Sequence, residues 1–70
     1  MRQFEVGKSY EPYQREYGEI IVDRRTEHTI WVHNELTSWS MRVRRTAEGN
    51  EIAIDCSVPR RYRDCFTYEA

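Results

Sequence analysis

Trp39-Ser40-Met41-Arg42-Val43-Arg44-Arg45 alternates apolar and polar side chains residue by residue up to Arg44. A period of two places successive side chains on opposite faces of an extended chain, so Trp39, Met41 and Val43 share one face. Ser40, Arg42 and Arg44 share the other. The same reading extends outward on both sides. In Glu19-Ile20-Ile21-Val22-Asp23, Ile20 and Val22 face inward while Glu19 and Asp23 face water. In His28-Thr29-Ile30-Trp31-Val32-His33-Asn34, Ile30 and Val32 take the inner face, and Thr29, Trp31 and His33 the outer. In Glu51-Ile52-Ala53-Ile54-Asp55-Cys56, the apolar set is Ile52, Ile54 and Cys56. Four such segments, rich in β-branched and aromatic residues, predict strands rather than helices.

The connectors fit hairpins. Ala47-Glu48-Gly49-Asn50 offers Gly49 for a positive φ. Glu35-Leu36-Thr37-Ser38 and Arg25-Thr26-Glu27-His28 are short turns. Pro59 ends a strand, since proline donates no ladder hydrogen bond. A final strand is expected within Tyr62 to Tyr68, with Phe66 and Tyr68 on one side. An opening strand is expected at Phe4-Glu5-Val6, stopped by Gly7. Tyr10, Tyr13 and Tyr17 fall in a stretch read either as a loop or as a single helical turn around Pro12.

The prediction is one all-β domain over residues 1–70. It is a small antiparallel meander of five or six strands, closed or half closed into an SH3-like or OB-like barrel. Its expected core is Phe4, Val6, Ile20, Val22, Ile30, Val32, Trp39, Met41, Val43, Ile52, Ile54 and Phe66.

Composition narrows the function. The charged fraction is 33% and the formal net charge is −1. A near-zero balance argues against wholesale coating of nucleic acid, which needs a positive excess. The cations are ten arginines and a single lysine, Lys8, and arginine makes planar, forked, stackable contacts that lysine cannot. Met1-Arg2-Gln3-Phe4-Glu5 carries an acid where a signal peptide would turn apolar, and no run reaches membrane-spanning length. Two cysteines, Cys56 and Cys65, are too few for a disulfide scaffold, so the expected compartment is the cytoplasm.

Chemistry-bearing motifs are scarce. Cys56, Cys65, His28 and His33 match no zinc-ligand spacing, so neither metal nor cofactor is expected. The three glycines are isolated, and no phosphate loop, nucleophile elbow or coupled nucleophile and base is present. The expectation is a protein that is not an enzyme.

The candidate binding residues are Trp31, His33, Arg42 and Arg44, expected as cross-strand neighbours on the outer face of two middle strands. A tryptophan among arginines on a polar face can anchor a protein interface or stack a base. The competing reading has Trp31 covered by the tyrosine-rich stretch. Arg24-Arg25, Arg42-Val43-Arg44-Arg45 and Arg60-Arg61-Tyr62-Arg63 are basic clusters, but Asp23, Glu27, Glu48, Asp55 and Asp64 interleave them. Solvated cross-strand ion pairs are the expected explanation.

Phe4-Glu5-Val6-Gly7-Lys8-Ser9-Tyr10, Val22-Asp23-Arg24-Arg25-Thr26, Gly49-Asn50-Glu51 and the terminal Tyr68-Glu69-Ala70 resemble small uncharacterised β proteins of bacteria and their phages or plasmids. The resemblance spans nearly the whole chain and rests on short structural motifs. It implies a compact β fold and a mobile-element origin, and it implies no activity or functional residue. The expected function is a protein–protein interaction module, an accessory or inhibitor protein with a protein partner. The alternative is a small nucleic-acid-binding barrel using the arginine clusters, and a homodimer seam is a third option.

Overall fold

The computed structural model describes residues 2–12, 18–55, 61 and 67–70. Six strands form one sheet: β1 (Ser9–Tyr10), β2 (Ile20–Arg25), β3 (Thr29–His33), β4 (Ser38–Arg45), β5 (Glu51–Ile54) and β6 (Thr67–Glu69). Their order in the sheet is their order in the chain, and every neighbouring pair is antiparallel. This is the expected meander, curled into a nearly closed barrel. Pro12, just beyond β1, bridges Tyr68 of β6 and brings the two ends of the sheet together. Proline is tolerated at such a margin because no ladder hydrogen bond is asked of its nitrogen.

Alternation builds the interior. Phe4, Ile20, Val22, Ile30, Val32, Met41, Val43, Ala53 and Tyr68 form a single buried cluster, with Tyr10, Trp39 and Ala70 packed against it. Burying each large side chain contributes about 2 kcal/mol. The turns are short. Thr26 N donates to Thr29 O between β2 and β3 (2.8 Å), and Asn34 N to Thr37 O between β3 and β4 (2.9 Å). Between β4 and β5, Gly49 takes φ 87° and its nitrogen donates to Thr46 O at 2.9 Å.

Two expectations are corrected. Phe4–Val6 is not a strand. The chain turns at Glu5–Lys8, with Gly7 at φ 87°, which leaves Val6 57% exposed while Phe4 is buried. The first strand is instead Ser9–Tyr10.

The phase of β5 is also opposite to its hydrophobic reading. Glu51 and Ala53 point inward, and Ile52 and Ile54 are half-buried on the outer face. Ala53 stands between Val43 and Tyr68 in the register, where a small residue leaves interior volume for the tyrosine ring. Ile52 and Ile54 stand opposite Arg44 and Arg42, whose aliphatic stems shield apolar surface.

The alternation of β2 holds through Asp23 as expected, and breaks only beyond it. The register of β2 against β3 slips between Val22 and Arg24. Asp23 is the extra residue of a β-bulge, which moves the strand's phase by one. Arg24 therefore lands outward opposite Trp31, and Arg25 turns inward opposite Ile30. Phe66, Cys56, Pro59 and residues 62–65 lie outside the described residues, as do Tyr13 and Tyr17.

Arg25 and Glu51 then meet across the end of the barrel. Arg25 Nη1 and Nη2 donate to Glu51 Oε1 and Oε2 at 2.7 and 3.0 Å. The amino-terminal segment is tied to the same pair. Phe4 N donates to Glu51 Oε1 (2.9 Å), and Arg25 Nη1 also donates to Phe4 O (2.7 Å). Tyr10 packs edge-on against Phe4, centroids 4.8 Å apart, and its hydroxyl accepts from Glu5 N at 2.7 Å. Phe4 is thus a plug held on both its ring and its backbone.

Candidate contact face

The outer surface of β2, β3 and β4 is built by the residues that alternation turns away from the core. On β3 these are Thr29, Trp31 and His33, and on β4 Ser38, Ser40, Arg42 and Arg44. The register decides who meets whom. Opposite Trp31 stands Ser40, opposite His33 stands Ser38, and Arg42 stands opposite Thr29. Arg42 is a diagonal neighbour of Trp31. Arg44 pairs with Ile52 of β5, beyond the end of β3. The four predicted residues do share one face, but not as directly opposed pairs. The expected register is off by two residues, because the turn uses Asn34 to Thr37 rather than Glu35 to Ser38.

The immediate neighbours of Trp31 and His33 come from β2. Arg24 Cζ lies 4.1 Å from the Trp31 ring centroid, a cation–π stack that fixes the indole and occupies one of its faces. Trp31 is half-buried. His33 Nδ1 lies 2.7 and 2.9 Å from the two oxygens of Asp23. A carboxylate only accepts, so Nδ1 carries the hydrogen. Among the described residues Ser38 makes no side-chain hydrogen bond to His33, so no hydroxyl is coupled to the imidazole.

Sequence reasoning missed Arg24 and Asp23. Both depend on the bulge, for which an Ile-Ile-Val-Asp-Arg-Arg string carries no signal. The basic clusters also divide differently than expected. Arg25 is consumed by the buried pair with Glu51 rather than by a solvated one. Arg45 donates to Gly49 O at 2.9 Å and approaches Glu51 at 4.0 Å. Arg42 and Arg44 form no ion pair among the described residues. Arg60, Tyr62 and Arg63 lie outside them.

The two ends of the face differ. Beyond His33, the turn of residues 34–37 is held by Asn34, whose side-chain oxygen accepts from Leu36 N and Thr37 N, both at 2.9 Å. Leu36 projects from that turn 92% exposed. With Gly18, Glu19, Ile21, His33 and Glu35 it lines a shallow groove of about 420 Å³. At the other end Arg42 and Arg44 line an open depression with His28.

Among the described residues no cluster of three or more His, Cys, Asp or Glu side chains is placed to hold a metal ion. No helix among them is long and apolar enough to cross a membrane. No protein-family model, curated protein or solved structure matches this chain.

Proposed function

We propose that this domain is a non-enzymatic protein–protein interaction module that contacts its partner through the outer face of β2–β4, with Trp31 at the centre. The observation that carries the reading is the half-buried indole on the polar side of the middle strand, pre-set by Arg24 at 4.1 Å. A rigid aromatic with an arginine beside it loses little entropy on binding and suits an interface anchor. The flanking charges call for a partner of acidic or mixed charge, encountered in the cytoplasm. The resemblance to phage- and plasmid-borne β proteins makes an accessory or inhibitor role the natural context.

A second reading, a small nucleic-acid-binding barrel, draws on Arg42 and Arg44, which lack carboxylate partners among the described residues. Arg24 weighs against it, because a stacked base would compete with the guanidinium for that ring face.

The test is affinity capture from the native host with the wild-type domain, Trp31→Ala and Arg42→Glu/Arg44→Glu, each checked for an intact fold by amide chemical shifts. Capture of a protein that survives nuclease treatment and is lost with Trp31→Ala supports the module. Capture unchanged by Trp31→Ala rules it out. Retention on DNA resin that falls steeply with salt selects the nucleic-acid reading instead.

A further inference from the structure

We propose that the outer face of β2–β4 binds a second copy of this chain, face to face and antiparallel, with Trp31 beside the twofold axis. The proposal rests on reading that face as a contact surface, and it names the partner.

Charge is distributed unevenly along the strands of this face. Trp31 sits midway. In one direction, Ile21 stands opposite His33, two residues from Trp31. Glu19 is two residues further, about 13 Å from the Trp31 level at the rise of an extended chain. Glu35 lies at the same end, lining one groove with Glu19 and Ile21. In the other direction, Ser40 stands opposite Trp31. Arg42 follows two residues on and Arg44 four, again about 13 Å away. Glu19 and Glu35 thus stand at one end of the face and Arg42 and Arg44 at the other, Glu19 and Arg44 at matching distances from the central indole, while Glu27 at the arginine end lies beside His28. None of Glu19, Glu35, Arg42 and Arg44 makes an ion pair among the described residues.

A surface of this kind is complementary to itself. A twofold axis that lies in the face at Trp31, perpendicular to the diagonal from Glu19 beside β2 to Arg44 on β4, lays Arg44 of each copy over Glu19 of the other, with Arg42 and Glu35 on the same rim. Symmetry makes the contact twice. The reverse superposition sets like charge on like and is repelled. The same distribution disfavours other occupants. A nucleic-acid polyanion following Arg42 and Arg44 along the face meets Glu19 and Glu35. An aromatic centre with a charged rim matches the anatomy of binding interfaces.

Magnitude sets the strength. Three strands by twice 13 Å give about 400 Å² of projected face per copy, roughly half of what a standard interface buries per partner. The dimer is therefore weak, concentration-dependent and sensitive to salt.

Sedimentation equilibrium over a concentration series reaching the millimolar range tests it. The probes are the wild type and two charge-reversal variants, Glu19→Arg/Glu35→Arg and Arg42→Glu/Arg44→Glu. The wild type is expected to dimerise, with the dimer lost at high salt. Each variant alone is expected to stay monomeric, and an equimolar mixture of the two to recover a heterodimer. Concentration-dependent shifts of the Trp31 indole resonance in the wild type give a reading that needs no variant to fold. A wild type that remains monomeric throughout, or reversal variants that dimerise as the wild type does, overturns the proposal. The two readings fail separately. A monomeric wild type that loses a host protein on Trp31→Ala removes the self-association and leaves the contact face standing. A dimer insensitive to Trp31→Ala and to both reversals removes the seam from this face.

Discussion

Arg25 and Glu51 join strands that are not neighbours in the sheet, with Nη1–Oε1 2.7 Å and Nη2–Oε2 3.0 Å across one end of the barrel. Glu51 is only 3% exposed, and its carboxylate also receives the Phe4 amide. A buried pair is worth little against a well-packed apolar replacement, yet removing one member strands the other. Glu51→Ala is therefore expected to destabilise by about 3–5 kcal/mol, and Arg25→Ala by a similar amount. Urea denaturation measures both. Changes that sum independently in the double variant would show that the two side chains do not act as a unit.

The same pair sets an acid limit on stability. Hydrogen bonding from Arg25, then from the Phe4 amide, holds the Glu51 carboxyl below its ordinary 4.5 despite burial pushing the other way. A carboxylate whose folded value is depressed contributes stability that is complete above the unfolded value. That contribution is lost as pH falls through the folded one. The wild type should lose stability progressively below about pH 4.5. In Glu51→Gln that part of the slope should be missing. Equally steep acid unfolding of the two proteins would remove Glu51 as a source of the transition.

Asp23 is an inserted residue in β2, so its deletion should be tolerated. A regular ladder running through Val22, Arg24 and Arg25 keeps Val22 opposite Val32, Arg24 opposite Trp31 and Arg25 opposite Ile30. The deletion variant should fold with its amide shifts altered mainly around His33, whose Asp23 contact is lost. The cost is expected to be about 1 kcal/mol, in the range of surface contacts. Global unfolding on deletion would contradict the bulge assignment.

Gly49 closes the β4–β5 hairpin at φ 87°, a conformation in which a Cβ meets the following carbonyl. Gly49→Ala should cost about 1–2 kcal/mol. Gly49→Asn should cost less, since asparagine tolerates this region. Thermal unfolding of the two variants ranks them, and alanine at no cost would mean that the turn relaxes.

Leu36 sits exposed on a turn in which Asn34 accepts two backbone amides. Asn34→Ala leaves those amides to water and is expected to cost about 1 kcal/mol. Hydrogen exchange should quicken at Leu36 and Thr37 while the strand amides of Ile30 and Val32 keep their protection.

Much of this architecture was legible because period two is a local property. Ile20, Val22, Ile30, Val32, Met41 and Val43 each lie inward as their alternation predicts, and hairpins with few residues leave a meander as the simplest connection. Gly49 was readable for the same reason, as a positive-φ residue between two alternating runs. Hydrophobicity misled at Val6, Ile52 and Ile54. It reports what a side chain gains by leaving water and nothing of what stands opposite it.

Side-chain alternation and turn chemistry alone, then, determined an all-β meander, its strands β2 to β5, and the placement of Trp31, His33, Arg42 and Arg44 on a common outer face. Tertiary structure decided the rest. The bulge at Asp23 sends Arg24 to Trp31 and Arg25 to Glu51, the inverted phase of β5 buries a glutamate, and Phe4 plugs one end. Each of these depends on partners 7 to 47 residues apart, from Arg24 with Trp31 to Phe4 with Glu51. Phase errors of one residue cannot be settled within a strand. They are settled where a charge buried in the interior finds its counter-charge once the sheet has curled.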